Sequence, residues 1–169
     1  MATLIQLVEH FIWKNIDNYE WNHFFSCCGL LVLLIEPIAS MFLMDAGKLR
    51  NSFLVSYLLF ILLLSIYYPW KPYTKIADNR HLLWVWQHPS TPYAAYIIWV
   101  CFFIIPLLLT KYYMIGVLGI ITVILSIITW GLHGTWGSMW CWIANGAWLL
   151  VIGFIAADKC FEDMCKKIQ

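Results

Sequence analysis

Charged side chains are what this chain has least of. Only 11% of its 169 residues are Asp, Glu, Lys or Arg, while 63% are hydrophobic and the mean hydropathy is +0.77. An average soluble domain carries roughly 25% charged residues, so a water-facing shell cannot be assembled here and the chain reads as an integral membrane protein. Ten basic residues against nine acidic ones leave a net charge of only +1, and the longest Lys/Arg run is the pair Lys166-Lys167. That excludes the basic surface a nucleic-acid partner requires.

Reaction motifs are missing too. The chain has no Gly-x-Ser-x-Gly, no His-Glu-x-x-His, no Gly-rich phosphate loop ending in Lys and no paired-aspartate motif. The Arg-His-Pro-x-Tyr signature of membrane methyltransferases is not met, because Arg80-His81 and His88-Pro89 are separated and Tyr93 is displaced. No filter-like loop marks a channel. There is no Cys-x-x-Cys; Cys27, Cys28, Cys101 and Cys141 fall in apolar runs, where a thiol behaves as a small hydrophobe. Cys160 and Cys165 are too few for a structural zinc site and are read instead as places for acylation at the membrane edge. Catalytic residues, cofactors and metals are therefore not expected.

Long apolar runs are abundant. A helix needs about 20 residues to cross some 30 Å of hydrocarbon, and five stretches approach that length: His23 to Met44, Phe53 to Trp70, Tyr93 to Leu109, Tyr112 to Trp130, and Trp136 to Ala157. Their ends carry Trp21, Tyr67, Tyr68, Trp70, Tyr93, Tyr112, Tyr113, Trp130 and Trp136, the residue types that settle at headgroup depth. A lipid-exposed backbone must satisfy its own hydrogen bonds, and no alternating strand pattern suggests a barrel. The expected architecture is all-α, a single polytopic bundle of about five transmembrane helices.

Residues 1–18 precede these spans. Leu4, Ile5, Val8, Phe11 and Ile12 recur at helical spacing, with Gln6, Glu9, His10 and Lys14 assigned to the opposite face, which predicts an amphipathic helix lying in the membrane surface. Asn15-Ile16-Asp17-Asn18 supplies turn residues to end it. No cleavable signal peptide is visible, so the first span is expected to double as the targeting signal. Lys14, Lys71, Lys75 and Arg80 fall on one side of a five-span chain, and Lys48, Arg50, Lys111, Lys159, Lys166 and Lys167 on the other, a bias that places the C-terminal tail, 158–169, in the cytosol.

Residues 71–92 form the longest polar stretch, and Lys71, Lys75, Arg80, His81 and His88 make it the expected partner-contact loop. Within it, Leu82-Leu83-Trp84-Val85-Trp86 is too short to span and is expected as an interfacial helix.

The polar residues inside the spans form stripes. Gly119, Thr122, Ser126, Thr129 and His133 share one helix face, and Gly134, Ser138, Cys141 and Asn145 share another, so the last two spans are expected to meet as an antiparallel hairpin through small, weakly polar faces. Three glycines, Gly131, Gly134 and Gly137, are expected to permit the turn. Glu36 interrupts the first span beside Pro37, with Ser40 one turn on. An ionisable group at that depth costs several kcal/mol unless it faces protein or water. It serves either as a hydrogen-bonding strut or as a proton, cation or substrate group. Asn145 is its expected partner and His133 the next.

The segment from His133 to Asn145, His-Gly-Thr-Trp-Gly-Ser-Met-Trp-Cys-Trp-Ile-Ala-Asn, in a short Trp-rich multi-span chain, resembles small membrane proteins of large DNA viruses that sit in the lipid layer around the capsid. The resemblance implies a structural or assembly role, with other membrane or capsid proteins as partners and no catalytic residues. A second copy of the chain is a further expected partner. The alternative is a small transporter or membrane-embedded enzyme built on Glu36.

Overall fold

The computed structural model describes residues 2–68, 72–85, 93–111, 113–147 and 149–150. Six α-helices appear in chain order: α1 (Ala2–Lys14), α2 (Tyr19–Phe42), α3 (Lys48–Tyr67), α4 (Tyr93–Leu108), α5 (Tyr113–Trp130) and α6, which begins at residue 136 and is followed to 150. Three of them, α2, α3 and α5 with its 3₁₀ extension to His133, are long and apolar enough to cross a membrane; α4 is apolar but has 16 residues.

Local chemistry sets the boundaries. Asn15 and Asn18 make the break between α1 and α2: Asn15 Nδ2 donates back to Phe11 O at 2.9 Å, and Asn18 caps α2 by accepting from Trp21 N at 3.2 Å. α2 continues through Pro37, whose missing N–H leaves the Leu33 carbonyl without its helical donor. One residue along, Tyr57 of α3 donates its hydroxyl to Leu34 O at 2.9 Å. At the far end of α5, Gly134 closes the 3₁₀ turn at φ +69, a left-handed conformation that a Cβ would strain.

The polar loop holds a surprise for a helical reading. Thr74–Ile76 (β1) and Leu82–Trp84 (β2) pair antiparallel, with Thr74 opposite Trp84 and Ile76 opposite Leu82. The interfacial helix expected over 82–86 is thus corrected to a strand at 82–84. Five residues are too few to nucleate a helix, whereas the three-residue turn Asp78-Asn79-Arg80, closed by Ala77 N donating to His81 O at 2.9 Å, favours a hairpin.

Contacts place this hairpin at the end of the bundle where α2 starts, α3 ends and α5 turns into α6. Asn22 of α2 binds Thr74, Asn79 binds Thr135, and His81 meets the Trp130 ring edge-on at 6.4 Å. α1 folds back along α2, so that Ile12 packs with Leu82 and Phe25 while Ile5, further down, packs with Val32 and Cys141. A second core of Ile104, Val123 and Trp140 joins α4, α5 and α6.

Candidate functional site

Glu36 of α2 is 5% exposed and lines a cavity of about 380 Å³. The wall is apolar apart from Glu36, Ser40 and Thr122; Phe103, Trp140 and Cys141 complete its central part. Ser40 donates its hydroxyl to Pro37 O at 2.7 Å. Thr122 donates to Gly119 O at 3.0 Å and accepts the Trp140 indole N–H, also at 3.0 Å. Neither Asn145 nor His133, the expected partners of Glu36, is among the described residues that line this cavity.

A second cavity of about 280 Å³ lies on the other side of Trp140 and Cys141, toward the hairpin, and is bounded by Leu30, Leu64, Trp84, Tyr96 and Ser138 among others. Trp140 and Cys141 form a shared partition between the two spaces.

The other buried carboxylate is Glu9, 2% exposed, on the inner face of α1. Burial pushes its carboxyl up to about 7, and the donors of Ser138, Trp142 and Trp84 facing it act in the opposite sense without overcoming that cost. Neither carboxylate oxygen forms a hydrogen bond of full geometry. The expected polar face of α1 is corrected accordingly: the buried stripe is Ile5, Val8, Glu9 and Ile12, while Leu4, Leu7 and Phe11 are exposed. α1 packs along α2 and α6, and Glu9 is carried inward because it shares a helix face with Ile5 and Ile12 at spacings of four and three.

A compact network pins the hairpin. Asn22, Ser26 and Thr74 are all 0% exposed. The Asn22 side chain grips the Thr74 backbone from both sides, its Nδ2 donating to Thr74 O at 2.8 Å and its Oδ1 accepting from Thr74 N at 3.1 Å, while Nδ2 also reaches Ile16 O at 3.2 Å. Ser26 Oγ donates to Asn22 Oδ1 at 3.2 Å and lies 2.8 Å from Thr74 Oγ1. His23 Nδ1 is 2.7 Å from Pro72 O. At the tip, Asn79 Nδ2 donates to Thr135 Oγ1 at 2.8 Å.

The expected intramembrane site is therefore divided. Glu36 and Ser40 share a cavity with Thr122. Ser126 is fully buried and donates to Trp136 O, which makes it part of the α5–α6 contact. Thr129 is exposed and bonds back to Leu125 O at 2.9 Å, and His133 is exposed in the turn. Ser138 faces Glu9 of α1. Asn145 is half-buried on α6.

α5 and α6 do pair, but the expected meeting of two small stripes is corrected: Thr122 and Ser126 meet Trp136 and Trp140. Indoles bury more apolar area than Ser or Cys and bring an N–H that needs an acceptor, so they take the face toward α5 and leave Ser138 and Cys141 for α1 and α2. Of the contact loop, Lys75 and Arg80 are exposed, His81 is half-buried, and Lys71 and His88 lie outside the described residues, as do Cys160 and Cys165. Asn22, Ser26 and Glu9 had gone unnoticed as site residues; the i, i+4 spacing of Asn22 and Ser26 is the signal that finds the first two. Among the described residues no group of three or more His, Cys, Asp or Glu comes together as a metal site. Comparison with known proteins finds no matching family model, and no curated protein or solved structure of significant similarity.

Proposed function

We propose that this protein is a multi-pass membrane component with an assembly role, which docks other membrane or capsid proteins, or a second copy of itself, through the hairpin between α3 and α4. In this reading α2 to α6 cross the bilayer as five spans, α1 lies folded back along α2 as far as Val32, and the C-terminal tail lies in the cytosol. The observation that carries the reading is the double anchoring of the hairpin, to Asn22 of α2 and to Thr135 at the head of α6. A loop that only links two spans needs no such bracing, whereas a rigid loop loses less entropy when a partner binds. Arg80 supports it further: it is an exposed, non-glycine residue held at φ +61, a conformation that costs backbone energy. The resemblance of residues 133–145 to membrane proteins of large DNA viruses points the same way.

A photo-crosslinking residue at Lys75 tests the proposal in the native membrane. It is expected to yield one discrete protein adduct, lost in Asn22→Ala, which strips both partners from the Thr74 backbone and loosens the hairpin by about 2–3 kcal/mol. A probe at Leu62, on the lipid-facing side of α3, is expected to yield lipid adducts only. Lipid adducts alone at Lys75 would refute docking through the hairpin.

One observation favours a second reading, a small transporter or membrane enzyme using Glu36. The cavity beside Glu36 is open space rather than packed core.

A further inference from the structure

The first turns of α2 hold a thiol and an imidazole in contact. Cys27 Sγ lies 3.8 Å from His23 Nε2, one helical turn away. The other ring nitrogen, Nδ1, is 2.7 Å from Pro72 O. A carbonyl oxygen only accepts, so Nδ1 carries the proton, and in the neutral ring Nε2 is then the bare nitrogen that accepts the Cys27 S–H. Nucleophile, base and a third group that orients the base stand in sequence, the arrangement that activates a side chain for attack on a carbonyl carbon.

The imidazole is held from more than one side. Tyr19 stacks on His23 with the ring planes 4° apart and the centroids at 6.1 Å, and Tyr73 meets Tyr19 in turn at 5.9 Å. Pro72 comes two residues before Thr74, whose backbone Asn22 grips, so the anchoring of the hairpin also fixes the carbonyl that orients the ring. His23 is exposed and Cys27 is half-buried. Leu31 and Ile35, at four-residue steps from Cys27, are exposed apolar residues that continue its side of α2 into the bilayer. Trp21, also exposed, marks the headgroup depth just outside the pair. The thiol therefore sits where the carbonyl of a membrane-bound fatty acyl group lies, with an apolar track leading inward.

We infer that Cys27 is a site of self-catalysed S-acylation, with a long-chain acyl thioester as donor and His23 as general base. In the step, the Cys27 sulfur bonds to the acyl carbonyl carbon as its proton passes to His23 Nε2. The bond from that carbon to the donor's sulfur breaks, and the imidazolium returns the proton to the departing thiolate. A thioester and a thiol go in and a thioester and a thiol come out, so no oxidant, reductant or further reactant is needed. The acyl chain is left lying along Leu31 and Ile35. The inference goes beyond the assembly role and does not depend on it, since partner docking is read by crosslinking at Lys75 and acylation by mass at Cys27.

The test incubates the full chain in phosphatidylcholine nanodiscs with palmitoyl-coenzyme A and follows each cysteine by peptide mass spectrometry. Cys101 is the internal reference: it is exposed and lies eight residues past Tyr93 at the head of α4, as Cys27 lies eight past Tyr19 at the head of α2. Cys27 is expected to gain a hydroxylamine-labile palmitoyl group at least tenfold faster than Cys101. His23→Ala is expected to lose at least tenfold of that rate and to recover it in added imidazole, which reaches the vacated space because residue 23 is exposed. His23→Asn retains a side-chain N–H for Pro72 O but has no basic nitrogen, so it is expected to unfold at the wild-type temperature and still lose the rate. Equal rates at Cys27 and Cys101, no palmitoyl group at Cys27, a loss in His23→Ala that imidazole does not restore, or wild-type acylation in His23→Asn would overturn the assignment.

Discussion

Burial, more than any partner, decides the behaviour of Glu9. Its carboxyl titrates at about 7 in the fold against an ordinary 4.5, so the folded state prefers the neutral form. The docking of α1 is then strongest below pH 4.5 and weakens as the pH climbs from 4.5 through 7, by about 3 kcal/mol in all. A spin label at residue 14 is expected to gain mobility between pH 5 and pH 8 in wild type and to show no such change in Glu9→Gln. Residues of this kind were only half legible. The four- and three-residue spacing of Glu9 from Ile5 and Ile12 is plain in the sequence, but polarity argued for an outward face, and only the packing of α1 against α6 overrides it. Glu36 was legible because it interrupts an apolar run. Its surroundings were not, because which of several hydroxyls and amides share its cavity depends on the rotation of each helix about its axis, and apolar patterns in lipid fix that rotation weakly.

At the level of elements, periodicity and turn chemistry located the helices well. The expected spans over 93–109 and 112–130 correspond to α4 and α5 with shifts of a residue or so, while the first two spans begin earlier than hydropathy suggests because Asn18 and Gly47 set their starts. The β1–β2 hairpin escaped notice because two three-residue strands carry almost no periodic signal, and its stability comes from Asn22 and Leu82 contacts that bridge distant parts of the chain. The joint between α4 and α5 rests on Gly116, where a Cβ would lie 2.8 Å from Leu108 Cδ2 and 3.1 Å from its backbone nitrogen. Gly116→Ala is expected to destabilise the bundle by about 1–3 kcal/mol in a denaturant titration, since close-packed elements cannot absorb the added methyl without a shift. Gly47→Ala, with nothing within 4 Å of the new methyl, is expected to be neutral or slightly stabilising.

The whole molecule is ordered by direction. α1, the hairpin and the turn before α6 gather at one end of the bundle, and the α2–α3 and α4–α5 connections fall at the other, an up-and-down order that explains how Asn22, Thr74, Asn79 and Thr135 come together from across the chain. Leu58, Leu62 and Ile66 on α3 are left exposed by the described residues, an apolar face suited to acyl chains or a partner. Single-cysteine labelling from each side of sealed vesicles tests this arrangement most directly. Positions 75 and 133 are expected to react with a membrane-impermeant maleimide from one side, and positions 45 and 111 from the opposite side only. Labelling of all four from the same side would contradict a chain that crosses the bilayer between them.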